Sequence, residues 1–306
     1  VKPSYFFARG KLLITGEYMV LHGAKAFSLP LKFGQHSYFF ESEQYSNTFK
    51  WLSFENNQIW FQASFDSITL EPISQEHSES LIFVSRLIKA IKKLKPTIVF
   101  TKLEKVEHHL DFNRNWGLGS SSSLIYNMAQ WAGINPFELH FEISKGSGYD
   151  IAAANSNSAF FYQLNKQIPS IKYIHWQIPF KHDLLFVYSG HKQDSAKSIK
   201  LNQNSTFTQE ILTEIDQISE QVAICKSLKH FINLLDRHEN ILSEYLNTKP
   251  VKQTNFQDFN GTVKSLGAWG GDFLLAVGAE SIDKTIKYFS EKNYTTYFKY
   301  SELIYE

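Results

Sequence analysis

The run Asn115-Trp116-Gly117-Leu118-Gly119-Ser120-Ser121-Ser122-Ser123 sets two glycines and four hydroxyls directly before a helical pattern. Leu124, Ile125, Met128, Ala129 and Ala132 recur at helical spacing, so the run is expected to be the loop entering that helix and its first turn. A helix start has unpaired N–H groups and the positive end of the macrodipole, and glycines let backbone come close to an anion. Serine hydroxyls add donors and a candidate metal ligand. The combination suits a bound phosphate. A serine-rich helix cap after a glycine loop has the same composition, and the run by itself leaves both readings open. The usual nucleotide loop, with Gly-Lys-Ser or Gly-Lys-Thr after a four-residue spacer, does not occur in the sequence. A phosphate site here has to be of another kind.

Composition narrows the partners. A chain of 306 residues, 43% hydrophobic and 20% charged, is ordinary globular material and long enough for two domains. Its formal net charge of +1 provides no global field for nucleic acid or anionic membrane, so small molecules are the expected partners. The single cysteine, Cys225, excludes an internal disulfide framework and reads as a core residue. Val1 to Phe7 lacks the basic-then-apolar order of a secretory signal, and no stretch is long and apolar enough to span a bilayer, so a cytoplasmic location is expected. The many aromatic residues are scattered, as core packing requires. The histidines show no metal-ligand spacing, and His108-His109 reads as solvated surface.

Strand-like segments at Ser4–Ala8, Leu12–Thr15, Ser37–Glu41 and Ile59–Ala63 lead to a helical pattern over Ser80–Leu94 and a further strand-like stretch at Thr97–Thr101. After the Gly-Ser loop and its helix, Asn135-Pro136-Phe137-Glu138 offers an N-cap, a proline at the first helical position and a glutamate at N3, which predicts a helix to about Lys145. Leu184–Tyr188 and Phe273–Val277 read as strands, with two amphipathic patterns between them, Ile211 to Val222 and Phe231 to Leu242. A glycine-rich turn at Gly267–Gly271 precedes Phe273, and a helix near Ile282–Phe289 and a strand near Thr295–Tyr300 follow. The layout is α+β, with a domain boundary expected somewhere in Gln163–Lys181, where regular pattern weakens.

Two more glycine-centred strings flank the Gly-Ser run on the N-terminal and C-terminal sides, and a third lies far downstream. They are Arg9-Gly10-Lys11 with Gly16-Glu17-Tyr18, Lys145-Gly146-Ser147-Gly148-Tyr149-Asp150-Ile151-Ala152-Ala153-Ala154, and Lys264-Ser265-Leu266-Gly267-Ala268-Trp269-Gly270-Gly271-Asp272-Phe273. In this order the chain resembles the GHMP kinases, the superfamily of galactokinase, homoserine kinase, mevalonate kinase and phosphomevalonate kinase. The resemblance spans nearly the whole chain. Gly16-Glu17-Tyr18, the Gly-Tyr-Asp-Ile-Ala string and Gly270-Gly271-Asp272 look most like phosphomevalonate kinases and like a bacterial group that carries the Gly-Tyr-Asp-Ile-Ala string.

The resemblance implies a two-domain fold, an amino-terminal domain like ribosomal protein S5 domain 2 over residues 1–170 and a ferredoxin-like domain over 171–306. It implies ATP and Mg²⁺ as cofactors, a small-molecule substrate, and a monomer or homodimer. Gly117, Leu118, Gly119, Ser120, Ser121 and Ser122 would wrap the nucleotide phosphates, with Ser121 on Mg²⁺ and Ser123 capping the helix. Asp150 matches the catalytic aspartate, which accepts the acceptor's proton, and Lys11 the lysine that keeps it ionised and steadies negative charge. Phosphoryl transfer needs mostly positioning and charge neutralisation, which such a set supplies. Glu17, Tyr18, Ser147, Gly148, Gly267, Ala268 and Gly270 would lie on the acceptor side, as would Lys192 and Ser195, with Lys197 more in keeping with a solvated loop. Glu142 is a candidate second metal ligand. Trp269 stands where the family has glycine, which bears on the acceptor more than on the chemistry. The resemblance therefore implies an ATP-dependent kinase of a mevalonate-pathway intermediate, phosphomevalonate first. A mevalonate kinase and a non-catalytic, kinase-derived ligand sensor are the alternatives.

Overall fold

A computed structural model describes residues 2–73, 78–190, 207–267 and 271–306. The chain forms two compact units, one of Val1–Gly10, Phe33–Arg114 and Leu118–Asn155, the other of Lys11–Lys32, Asn115–Gly117 and Ser156–Glu306. The units do not follow one another along the sequence, because strands β1 (Ser4–Thr15) and β2 (Ala26–Glu41) each give one half to either unit. The segments read as two strands, Ser4–Ala8 and Leu12–Thr15, are this one continuous β1.

In the first unit, β3 (Thr48–Glu55) and β4 (Gln58–Asp66) form a hairpin closed by Asn56 and Asn57. Both asparagines have positive φ, 50° and 61°, the conformation that a two-residue hairpin turn requires and that asparagine tolerates. β3 runs parallel to β5 (Leu103–Leu110), and β5 pairs antiparallel with the Gln35–Glu41 part of β2. Helix α1 (Glu79–Leu94) starts on Ser78, whose hydroxyl accepts the Leu81 N–H, and buries Leu81, Val84, Leu87, Ile88 and Ile91 along one stripe. α2 (Ser120–Ala132), α3 (Pro136–Ile143) and the short α4 (Tyr149–Ala154) complete the unit. α3 starts as the sequence requires, with the Asn135 side chain accepting the Phe137 N–H. Phe39 on β2 stacks on Trp131 of α2 with ring centroids 4.8 Å apart, and Phe100 meets the same indole edge-on. That contact explains one correction. The stretch Thr97–Thr101 is not a strand: Phe100 turns into the core in a single 3-10 turn at Phe100–Lys102, and the strand begins only at Leu103.

The second unit contains β8 (Leu184–Tyr188), α5 (Gln209–Ile224), α6 (Leu228–Leu246), α7 (Val251–Asn255), β9 (Gly261–Leu266), β10 (Phe273–Gly278), α8 (Ile282–Glu291), β11 (Tyr297–Lys299) and α9 (Tyr300–Leu303). The sheet order β11-β8-β10-β9, with α5 and α6 before the second strand and α8 before the fourth, is the ferredoxin-like arrangement. Leu185, Val187, Val263, Leu274, Ala276, Phe256 and Phe289 form its core. A hairpin of β6 (Phe160–Asn165) and β7 (Ile168–Tyr173) pairs through β6 with Ala26–Ser28 of β2. Among the described residues, no helix is long and apolar enough to cross a membrane.

Candidate functional site

The start of α2 is built for exposed donors. Gly119 occupies the N-cap position with φ 98°, and no side chain caps this helix start. Four residues that follow it divide by burial: Ser120 is half-exposed, Ser121 is exposed, and Ser122 and Ser123 are buried. Ser122 donates back to Gly119 O at 2.9 Å, and Leu118 is buried as an apolar anchor. Ser123 does not cap. Its hydroxyl donates to Gln35 Oε1 at 2.9 Å, while Asn127 on the next turn donates to Gln35 O at 2.9 Å and to Ser37 Oγ at 2.8 Å. Since Ser37 Oγ accepts from Asn127, its own hydrogen goes to His108 Nδ1, 2.8 Å away. This polar row fixes the first turns of α2 to β2 and β5. His108, read as solvated surface, is fully buried instead, and burial pushes its pKa down to about 3, so it is neutral.

Asp150 is the second residue of α4 and half-buried, with Oδ1 accepting the Ile151 N–H at 3.1 Å. The turn before it is braced from three sides. Buried His140 places Nε2 3.2 Å from Gly146 O, Gly146 N donates to Ser144 Oγ at 3.0 Å, and Arg86 Nη2 donates to Ile143 O at 2.8 Å. Ser147 is buried, and Gly148, at φ 83°, forms the N-cap of α4. Glu142, the candidate second metal ligand, is ion-paired through Oε1 with the exposed Lys93 at 2.6 Å. Among the described residues no group of three or more His, Cys, Asp or Glu side chains is arranged to hold a metal ion.

In the second unit, Lys11 Nζ donates to Gly117 O at 3.0 Å. A Cβ at Gly117 would lie 1.9 Å from Asp272 Oδ2, so this position, at φ 66°, accepts glycine alone. Trp116 next to it is received by Phe298, Phe273 and Tyr188, with ring centroids 5.4, 6.1 and 6.3 Å away. Lysine, aspartate and an aromatic seat thus fix the backbone where the Gly-Ser run begins. Gly267 and Gly271, at φ 80° and 54°, bound the third motif. Ala268, Trp269 and Gly270 lie outside the described residues, as do Lys192, Ser195 and Lys197.

Glu17 and Tyr18 are buried, 2% and 8% exposed. Lys264 Nζ donates to Glu17 Oε1 at 2.7 Å and lies 3.3 Å from Glu239 Oε1. His238 Nε2 accepts the Gly16 N–H at 3.0 Å and stands 3.3 Å from Glu17 Oε2. Burial, partly offset by Lys264, raises Glu17 to a pKa of about 7 and also raises Glu239. Burial by itself would lower Lys264, but the two carboxylates outweigh it and keep the ammonium charged. Burial and Lys264 together drive His238 well below its ordinary value, so it is neutral.

Sequence reasoning had named Lys11, Glu17, Ser121 and Asp150 but assigned nothing to Asp272, His140, Lys264, His238 or Glu239. Asp272 and Lys264 were visible inside the third glycine string. The histidines and Glu239 carry no spacing signal, since each sits singly in an amphipathic helical pattern.

No protein family and no curated protein matches the sequence. Solved structures do. A mevalonate kinase is similar over 96% of this chain and 98% of its own, with 16% identity and a TM-score of 0.69. Streptococcus pneumoniae phosphomevalonate kinase, in complex with phosphomevalonate and AMPPNP, is similar over 97% of this chain and 99% of its own, with 14% identity and a TM-score of 0.69. Lactococcus lactis galactokinase complexed with galactose is similar over 97% and 92%, with 14% identity and a TM-score of 0.65. The chain has the two-domain GHMP kinase fold.

Proposed function

We propose that the protein is an ATP- and Mg²⁺-dependent small-molecule kinase whose acceptor is phosphomevalonate. The observation that carries the reading is the start of α2, where an uncapped helix N-terminus, a left-handed Gly119 and an exposed Ser121 follow a backbone pinned by Lys11 and Asp272. The amides of this loop are suited to phosphate oxygens and the Ser121 hydroxyl to the metal. When bound, Mg·ATP supplies the phosphoryl group and neutralises charge on it. As an oxygen of the acceptor phosphate attacks the transferred phosphoryl group and ADP leaves, Asp150 takes the proton that the acceptor phosphate carries as its monoanion, and the Lys11 ammonium steadies the negative charge that develops. Glu142 is the second candidate for the metal and would give up its surface ion pair with Lys93 to reach it. Ser122, whose hydroxyl is turned onto Gly119 O, contributes its amide rather than its side chain.

Support for the acceptor comes from the phosphomevalonate kinase among the similar structures and from the Gly-Glu-Tyr and Gly-Gly-Asp strings. A coupled ADP-release assay with phosphomevalonate, mevalonate, homoserine and galactose tests both parts. Turnover with phosphomevalonate above all others is expected. Turnover with mevalonate alone overturns the acceptor assignment, and ATP binding without turnover on any acceptor overturns the kinase reading in favour of a ligand sensor.

A further inference from the structure

The turn that follows β1 is strained. Tyr18 sits at φ 60° and ψ −44°, and Met19 N donates to Glu17 O at 2.6 Å, which makes Glu17–Tyr18–Met19 a γ-turn of the rare hand. A residue with a bulky side chain adopts positive φ only at a cost, and such a conformation persists where the surroundings hold it. Here they do so on both flanks. On one flank Ser219 of α5 bonds Thr15 Oγ1 at 2.7 Å and donates to Lys25 O at 3.1 Å, and Asp216 accepts the Lys25 N–H. On the other, His238 of α6 takes the Gly16 N–H, and Lys264 of β9 takes the Glu17 carboxylate.

We propose that Lys264 and His238 are positioning residues that clamp the strained turn at Glu17–Tyr18–Met19, Lys264 through the carboxylate and His238, as a neutral acceptor, through the Gly16 amide. The structural part stands by itself; the catalytic part rests on the kinase reading, in which this turn lies on the acceptor side.

Three features separate a clamp from an ordinary buried ion pair. Both holding groups act on residues directly before the strained one, and one of them holds backbone rather than a side chain. The histidine must also be neutral, because Nε2 receives a hydrogen; the charged or titratable groups around it are Glu17, Lys264 and Glu239, with Asp236 bearing on Glu239 from the same helix. An ion pair alone places no such demand.

Lys264→Met leaves a buried carboxylate without its partner and risks unfolding, so the histidine carries the test. His238→Leu removes the acceptor, His238→Gln restores a neutral one, and Tyr18→Gly removes the strain. The denaturation midpoints of the single variants and of the Tyr18→Gly/His238→Leu double variant form a cycle that needs no activity. His238→Leu is expected to lower the midpoint and to speed hydrogen exchange of the Gly16 amide. Gln is expected to recover most of the loss, and Tyr18→Gly to suppress at least about half of it. Additive losses, or Gln no better than Leu, overturn the clamp. In turnover, His238→Leu is expected to raise KM for phosphomevalonate about tenfold with KM for ATP unchanged, since misplacement by a fraction of an ångström acts on the substrate beside it. An equal rise in both KM values overturns the acceptor-side role. If the wild type turns over no acceptor, the kinase reading fails and the stability cycle alone decides the clamp.

Discussion

Gly117 is held by opposite charges acting on one peptide: Lys11 grips its carbonyl, and the Asp272 carboxylate fills the space of a Cβ. Gly117→Ala must displace the carboxylate and hold alanine in a left-handed conformation. A loss of about 2–4 kcal/mol in unfolding free energy is expected, together with a raised KM for ATP. Chemical denaturation and steady-state kinetics on the one variant check both. The buried titratable groups make predictions of opposite sign. His108 has a folded pKa near 3 against an ordinary 6.5, so between these values the unfolded chain binds the proton and the folded one does not. Its contribution is complete above pH 6.5 and is lost as pH falls toward 3. Glu17, raised from 4.5 to about 7, behaves in reverse: its contribution is complete below 4.5 and is lost as pH rises through 7. Thermal melts across pH should show a flatter acid limb in His108→Gln and a flatter slope between pH 4.5 and 7 in Glu17→Gln; unchanged slopes contradict these assignments. Lys11, Ser121 and Asp150, the groups of the proposed chemistry, stood out because each lies in a short glycine-bearing string. His108, His140 and His238 were not, because a histidine facing inward from a strand or helix leaves the same pattern as one facing water.

At the scale of elements, the helices with long apolar stripes and named caps were legible nearly to the residue, as α1 and α3 show. β8 has the expected bounds, Leu184–Tyr188, and β10 runs one residue beyond the expected Val277. What escaped was short or one-sided. β7 is largely exposed, so Ile168–Tyr173 has no inward row to generate alternation; β3, by contrast, alternates, with Phe49, Trp51 and Ser53 buried, and was readable though not read. Thr97–Thr101 had strand-like composition, yet the packing of Phe100 against Phe49 and Trp131 turned it. The α2 helix gives the element-scale prediction. Its serine run divides its labour, with Ser121 facing outward and Ser123 tied to Gln35 of β2. Ser123→Ala leaves Gln35 Oε1 short of a buried donor and is expected to cost about 1–3 kcal/mol. Ser121→Ala should leave stability within about 0.5 kcal/mol of wild type and lower turnover instead. Equal effects of the two on stability would remove the distinction.

For the molecule as a whole, the sequence suggests two domains, and the two compact units of the chain each draw on several stretches, with β1 and β2 contributing to both. No linker marks such exchange, because it falls inside continuous strands, where only the burial pattern changes, from alternating to continuous along β1 and from continuous to alternating along β2. Residues 115–117 show the same exchange: they pack with the second unit, while Leu118 onward belongs to the first. The order of the glycine strings was enough to suggest the fold, and the solved structures bear that out over nearly the full chain. The proposed chemistry turns on Asp150. The direct measurement is to incubate wild type and Asp150→Asn with ATP, Mg²⁺ and phosphomevalonate and to quantify the phosphorylated acceptor by mass spectrometry, with ATP affinity measured in parallel. Product from the wild type, and at least about a hundredfold less from a variant that binds ATP equally well, is the expected result. Comparable product from both, or none from either, contradicts it.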